Sequence, residues 1–156
     1  MARKAKHSEP DKLTEEEKQL TELVRQRMKE SKSTELFGFD VERVHNGRAV
    51  FRLDVRLSHK QIHNVVHGGI IAALADTTAA IAAYTTVPRG VELATLELKI
   101  NYLEAVSGGT IKAYARVLRA GRNFIVTECE ILNDSGSLAA KALLTFSAAT
   151  GHSLTK

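Results

Sequence analysis

Cysteine is almost missing: among 156 residues only Cys129 carries a thiol. No disulfide can therefore close within the chain, and a reducing compartment, the cytoplasm, is the expected setting. The N-terminus has no apolar core of the signal-peptide kind. The longest apolar run, residues 70–84, is too short and holds Asp76 too centrally to cross a bilayer, so no membrane partner is expected. Blocks of one charge sign are also lacking. The 22 Lys and Arg are interleaved with 18 Asp and Glu for a net charge of +4, a balance that fits a small polyanionic ligand better than nucleic acid. There is no Gly-x-Ser-x-Gly elbow, no Gly-x-Gly-x-x-Gly and no phosphate loop, which excludes the usual nucleophilic-serine and nucleotide-driven chemistries. No internal repeat divides the chain, and its length suits one domain with a real core.

What is present centres on residues 63–86. His67-Gly68-Gly69 leads into a run that is apolar on all sides of a helix apart from the neighbourhood of Asp76, so the helix should be the buried centre of the domain. An ionised carboxylate taken out of water costs several kcal/mol unless it is bonded, paired or open to a cleft. Asp76 therefore reads either as a catalytic base or as a structural carboxylate bonded to Thr77, Thr78 or nearby backbone. Gly68 and Gly69 stand where the first helical amides lack intrahelical acceptors and carry partial positive charge, a place for an oxyanion. Eight residues of helix separate Gly68 from Asp76, a rise of about 12 Å. One chain cannot bring both to one carbonyl. Two such helices related by symmetry could, which predicts a site shared between subunits.

Around this helix the pattern predicts an α+β domain. Residues 1–12 should be loosely held. Thr14 and Glu17 have capping-box spacing, and Leu20, Leu23, Val24 and Met28 follow at helical intervals, predicting an amphipathic helix within 13–33. A strand over 36–44, a turn at His45-Asn46-Gly47 and alternation from Ala49 to Leu57 predict a hairpin. After the helix come four strand-like runs, 91–103, 110–119, 123–132 and 137–149, joined by turns short enough for antiparallel neighbours. The result is a six-stranded antiparallel sheet wrapped around one long helix over 34–150, with a tail at 151–156. In the third strand, strict alternation turns Ala94, Leu96, Leu98, Ile100 and Tyr102 toward the helix and Thr95, Glu97, Lys99 and Asn101 away. Two open sheet edges would remain, and edge pairing into a dimer is expected.

Other candidate groups read more simply. His59, His63 and His67 are four residues apart, but the intervening residues disfavour helix and no Cys or carboxylate completes a ligand set, so no metal is expected. His67 is better placed to fix its loop by a hydrogen bond; His59 and His63 read as exposed loop residues. Cys129, between Glu128 and Glu130, reads as core with a raised pKa. A carboxylate and an oxyanion-binding helix end suffice for acyl transfer when the leaving group needs no protonation. A thiol, with a pKa near about 8.5, meets that condition. A thioester is the substrate class this machinery fits. Scattered cations, including Arg89, Lys99, Arg116, Arg119 and Arg122, would suit the phosphates of a carrier such as coenzyme A.

His67-Gly68-Gly69-(x)3-Ala73-Leu74-Ala75-Asp76, with Gln61 and Val66 before it and residues 95–102 after it, resembles the hotdog-fold acyl-CoA thioesterases of the PaaI-like, phenylacetate-pathway type. The likeness runs from about residue 36 to residue 149. It implies that Asp76 is the nucleophile or general base, attacking directly or through water. It implies that the Gly68 amide, with Gln61 nearby, polarises the thioester, and that Thr95 helps hold the attacking water. His67 would support the loop. Gly69, Asn64, Tyr102 and the turn Arg119, Ala120, Gly121, Arg122, Asn123, Phe124 would contact substrate or coenzyme A. Asn64 stands where relatives commonly have glycine, and the approach of Thr95 rests on the resemblance, because alternation turns it away. Relatives assemble as dimers of dimers and need no cofactor beyond the coenzyme A of the substrate. A non-catalytic acyl-CoA sensor on the same scaffold is the alternative. A hydratase lacks its Asp-His pair here.

Overall fold

A computed structural model describes residues 12–150. The stretch 1–12, apart from Lys12, and the tail 151–156 lie outside the described residues. The first helix, α1 (Glu15–Met28), starts at the expected capping box: Thr14 Oγ1 accepts from the Glu17 amide, and the Glu17 carboxylate accepts from the Thr14 amide. Leu20, Val24 and Met28 pack against the core, while Leu23 is exposed. A second helix, α2 (Lys32–Phe37), is capped by Ser31 and closed by Gly38 at φ 73°. This corrects the expected strand start at residue 36. Glycine, with no Cβ, takes that left-handed turn without strain, and the strand begins just after it.

The strands are β1 (Phe39–His45), β2 (Arg48–Asp54), β3 (Val91–Tyr102), β4 (Thr110–Ala120), β5 (Phe124–Leu132) and β6 (Leu138–Thr150). They form one antiparallel sheet in the order β1-β2-β4-β5-β6-β3, which puts β1 and β3 at the edges. Leu57, expected to extend β2, instead lies exposed in a short 3-10 turn (Leu57–His59). The central helix α3 (Gly68–Tyr84) lies against the sheet, chiefly β2, β4 and β5. Ala75, Ala79, Ala82 and Ala83 are buried on its sheet side. Their small side chains let the helix lie close, with Phe51, Leu74 and Phe146 filling the core around it. This is the hotdog fold: a sheet curled around one long helix, preceded by an extra helical segment.

The edge at β1 is sealed. Thr21 of α1, itself buried, donates to the Val44 carbonyl and accepts from the Val44 amide at 2.9 Å, while Arg25 donates to the Val41 carbonyl at 2.7 Å. Backbone groups that an edge strand would leave open are thus paired with side chains. Over β3 the cover is thinner: among the described residues only the Leu93 amide is met by a helix side chain, donating to Tyr84 Oη at 3.1 Å.

Candidate active site

His67 is the N-cap of α3, and its Nδ1 accepts from the Gly69 amide at 2.9 Å. The loop-fixing hydrogen bond expected of His67 is present. Gly68 begins the helix, and its amide has no acceptor among the described residues. The loop leading in is tightly bonded: the Gln61 amide donates to Val65 O and the Asn64 amide to Gln61 O, each at 2.9 Å. Asn64 sits at φ 61°, the one non-glycine with positive φ among the described residues. Lys60 Nζ donates to its Oδ1 at 3.2 Å. Asparagine tolerates this left-handed conformation, which explains how the chain does without a glycine there. Gln61 is half-buried, and its Oε1 accepts from the His63 amide at 3.1 Å, which leaves its NH2 as the free donor.

Asp76 lies half-buried two turns along α3, and Thr95 Oγ1 donates to its Oδ1 at 2.9 Å. Thr95 therefore faces the helix, contrary to strict alternation. The cause is a β-bulge: Thr95 pairs with Phe146 and Glu97 with Thr145, so Leu96 is an unpaired extra residue. Alternation inverts there. Before the bulge Leu93 and Thr95 point inward; after it Leu98 and Ile100 do. Ala94 and Leu96, expected inward, are exposed. Thr78, the other hydroxyl considered for Asp76, is buried and donates to the Leu74 carbonyl at 2.7 Å.

Tyr102, at the far end of β3, donates through Oη to the Gly68 carbonyl at 2.8 Å, and burial pushes its phenol pKa upward. Beside it a cleft of about 280 Å³ is lined by Gly68, Ile71, Tyr102, Val65 and Val66 with residues 103–106. Asp76 does not line this cleft. Gly68 and Asp76 of one chain remain apart, as the helix rise of about 12 Å requires.

The turn from Arg119 to Phe124 caps the β4–β5 hairpin. Gly121 N–H donates to Phe124 O at 2.9 Å, Asn123 O accepts from the Ala148 amide at 2.8 Å, and Ala120 lies exposed at the strand end. Arg119 and Arg122 are exposed and have no carboxylate partner among the described residues. Arg116, by contrast, is paired with Glu128. No hydrogen bond joins this turn to the start of α3 among the described residues.

One side chain corrects the sequence-based expectation and another meets it. His59 is buried at 2% exposure, its Nδ1 accepting from the Arg56 amide at 3.0 Å, and burial, with the Arg56 charge, lowers its pKa. It is a structural residue of the turn, and the signal that hid it was the polar sequence around it. Cys129 is fully buried, and its thiol is pushed up by burial first and by Glu130 and Glu128 second.

Comparison with known proteins bears on the family and the fold. The Thioesterase superfamily model matches residues 63–140. A Saccharolobus solfataricus protein, provisionally named an esterase, is 37% identical over 115 residues, 72% of this chain and 81% of that protein. The 1,4-dihydroxy-2-naphthoyl-CoA hydrolase of Listeria monocytogenes is 28% identical, covering 67% of this chain and 85% of its own length. Among solved structures, thioesterase HI1161 of Haemophilus influenzae superposes with a TM-score of 0.80 at 23% identity, covering 87% of this chain and 94% of its own. PaaI of Escherichia coli superposes with 0.76 at 24%, covering 85% and 96%. With half of its length matched by the family model and its fold shared with PaaI and its kin, this chain belongs to the Thioesterase superfamily, as a hotdog-fold thioester hydrolase.

Proposed function

We propose that the protein hydrolyses an acyl-CoA thioester to the free acid and coenzyme A, in sites shared between two copies of the chain. The observation that carries this is Asp76: a carboxylate on an otherwise apolar helix, held by Thr95 on an open edge strand. The Gly68 N–H, at the positive end of α3, takes the oxyanion. The Gln61 NH2 is a second donor toward the same carbonyl. Asp76 of the neighbouring copy either attacks the carbonyl carbon or takes a proton from the water that does. The coenzyme A thiolate then leaves without needing an acid.

The shared site would form by pairing of β3 with β3 of a second copy across a two-fold axis. The other edge is sealed by α1, so β3 is the edge left for a partner. Two such dimers forming a tetramer extend the proposal. Arg119 and Arg122, unpaired within the described chain, suit the coenzyme A phosphates. No described helix is long and apolar enough to cross a membrane, and a lone buried thiol fits a cytoplasmic setting.

Thiol release from a panel of short-chain, long-chain and aryl acyl-CoAs tests the reaction. On the best substrate, Asp76→Ala should lower kcat by about 10²–10⁴-fold while coenzyme A still binds. Retention of near full activity by that variant rejects the mechanism. Binding without turnover across the panel rejects hydrolysis.

A further inference from the structure

Two glycines in succession make a poor foundation for a catalytic amide. Neither has a Cβ, so the Gly68–Gly69 peptide could tilt through a range of angles closed to other residues. In this structure the peptide is held at both ends. Its carbonyl, on Gly68, accepts from Tyr102 Oη at 2.8 Å; its N–H, on Gly69, donates to His67 Nδ1 at 2.9 Å. The Tyr102 ring also occupies the space over Gly68: a Cβ there would lie 3.1 Å from the ring carbon Cζ and 3.2 Å from Oη. The phenol therefore presses on the residue whose amide is free and bonds the carbonyl of that same residue.

Building on hydrolysis at this helix start, we infer that Tyr102 is a positioning residue that locks the Gly68–Gly69 peptide. The lock commits the Gly69 N–H to His67 and leaves the Gly68 N–H as the helix-start donor aimed at the thioester oxygen. The bond order fixes the imidazole as well. His67 accepts through Nδ1, so its proton is on Nε2. The chain is directional: phenol to carbonyl, across one peptide, and amide to imidazole. Tyr102 acts from the end of β3 on a helix start 34 residues earlier, so the strand that carries Thr95 also sets the oxyanion donor.

Tyr102→Phe keeps the ring over Gly68 and removes only the hydroxyl. In steady-state hydrolysis by the intact oligomer, kcat should fall about fivefold, the worth of one neutral hydrogen bond, with KM unchanged. Imidazole ¹⁵N spectra of the substrate-free protein give an independent reading. Wild type should show His67 with bare Nδ1 and protonated Nε2, and Tyr102→Phe should move both signals toward the average of the two tautomers. A raised KM at unchanged kcat would make Tyr102 a coenzyme A contact and overturn the inference. Loss of kcat with an unmoved imidazole, or a moved imidazole with unmoved kcat, would overturn it too. If wild type hydrolyses no thioester on the panel, hydrolysis itself fails, and the ¹⁵N comparison still decides whether Tyr102 locks the peptide.

Discussion

At β1 the outer edge of the sheet is closed by Thr21 and Arg25 reaching across from α1, whereas β3 is met by a helix side chain, among the described residues, only at the Leu93 amide; each edge strand carries one extra residue, Glu42 in β1 and Leu96 in β3. Both edges hold hydroxyls that bond into the fold. Thr21 bonds backbone and finishes a strand; Thr95 bonds the Asp76 carboxylate and serves a site. The sealed edge thus maintains the domain. The other edge carries the hydroxyl that holds the proposed catalytic carboxylate.

The hardest test of that contrast is deletion of Leu96. Without the extra residue Thr95 and Leu98 stand two positions apart, opposite Phe146 and Leu144, and plain alternation still turns both toward α3. Hydrolysis should therefore survive. A loss of more than about 100-fold, the scale of a small misplacement of reacting groups, would show that the twist of the bulge itself sets the site. Leu96→Ala, which keeps the bulge, should retain activity and so separates loss of the exposed side chain from loss of the extra residue. Next come two single substitutions with opposite readouts. Thr21→Val leaves the buried Val44 amide without a partner and should lower unfolding free energy by about 1–3 kcal/mol in urea titrations, with kcat unmoved. Thr95→Val should lower kcat about tenfold through loss of a bond to a charged group, with little change in the urea midpoint. If the two variants exchange these signatures, the division between the edges is wrong.

The smallest effect belongs to neither edge. Lys141 on β6 pairs with Glu128 at 3.1 Å and Glu130 at 2.8 Å on the outer sheet face. Burial works to raise the Glu128 pKa, but the hydrogen bonds from Arg116 and Lys141 outweigh it and hold the carboxyl below its ordinary 4.5. A lowered folded pKa gives stability that is complete above the unfolded value and is lost as pH falls through the folded one. Lys141→Met should therefore cost under about 1 kcal/mol near neutrality, and its gap from wild type should narrow as pH drops below 4.5. A gap that widens in acid would contradict this assignment.

Most of the fold was legible because hydrophobic period and turn residues agreed. The capping box at Thr14 and Glu17, the apolar run beginning after Gly69 and the hairpin at His45-Asn46-Gly47 all stand where the residues place them. The misses share one physical cause: each depends on a contact between distant parts of the chain. Counting alternation through β3 cannot register the unpaired Leu96, which appears only when β6 lies alongside. The six-residue α2 is too short to show a period, and its one strong local marker is the glycine that ends it. In the site, Asp76 and Gly68 were conspicuous as a charge inside an apolar helix and a glycine pair at its start. The Tyr102 hydroxyl was not, because nothing near residue 102 points to a carbonyl at residue 68.

The hidden position of Cys129 has a practical consequence for every assay that follows thiol release. The only sulfhydryl in the sequence is fully enclosed and held in its protonated form, so a chromogenic disulfide reagent finds nothing to react with on the folded protein. Colour developed during turnover then counts coenzyme A alone, and a slow rise in a substrate-free blank reports unfolding.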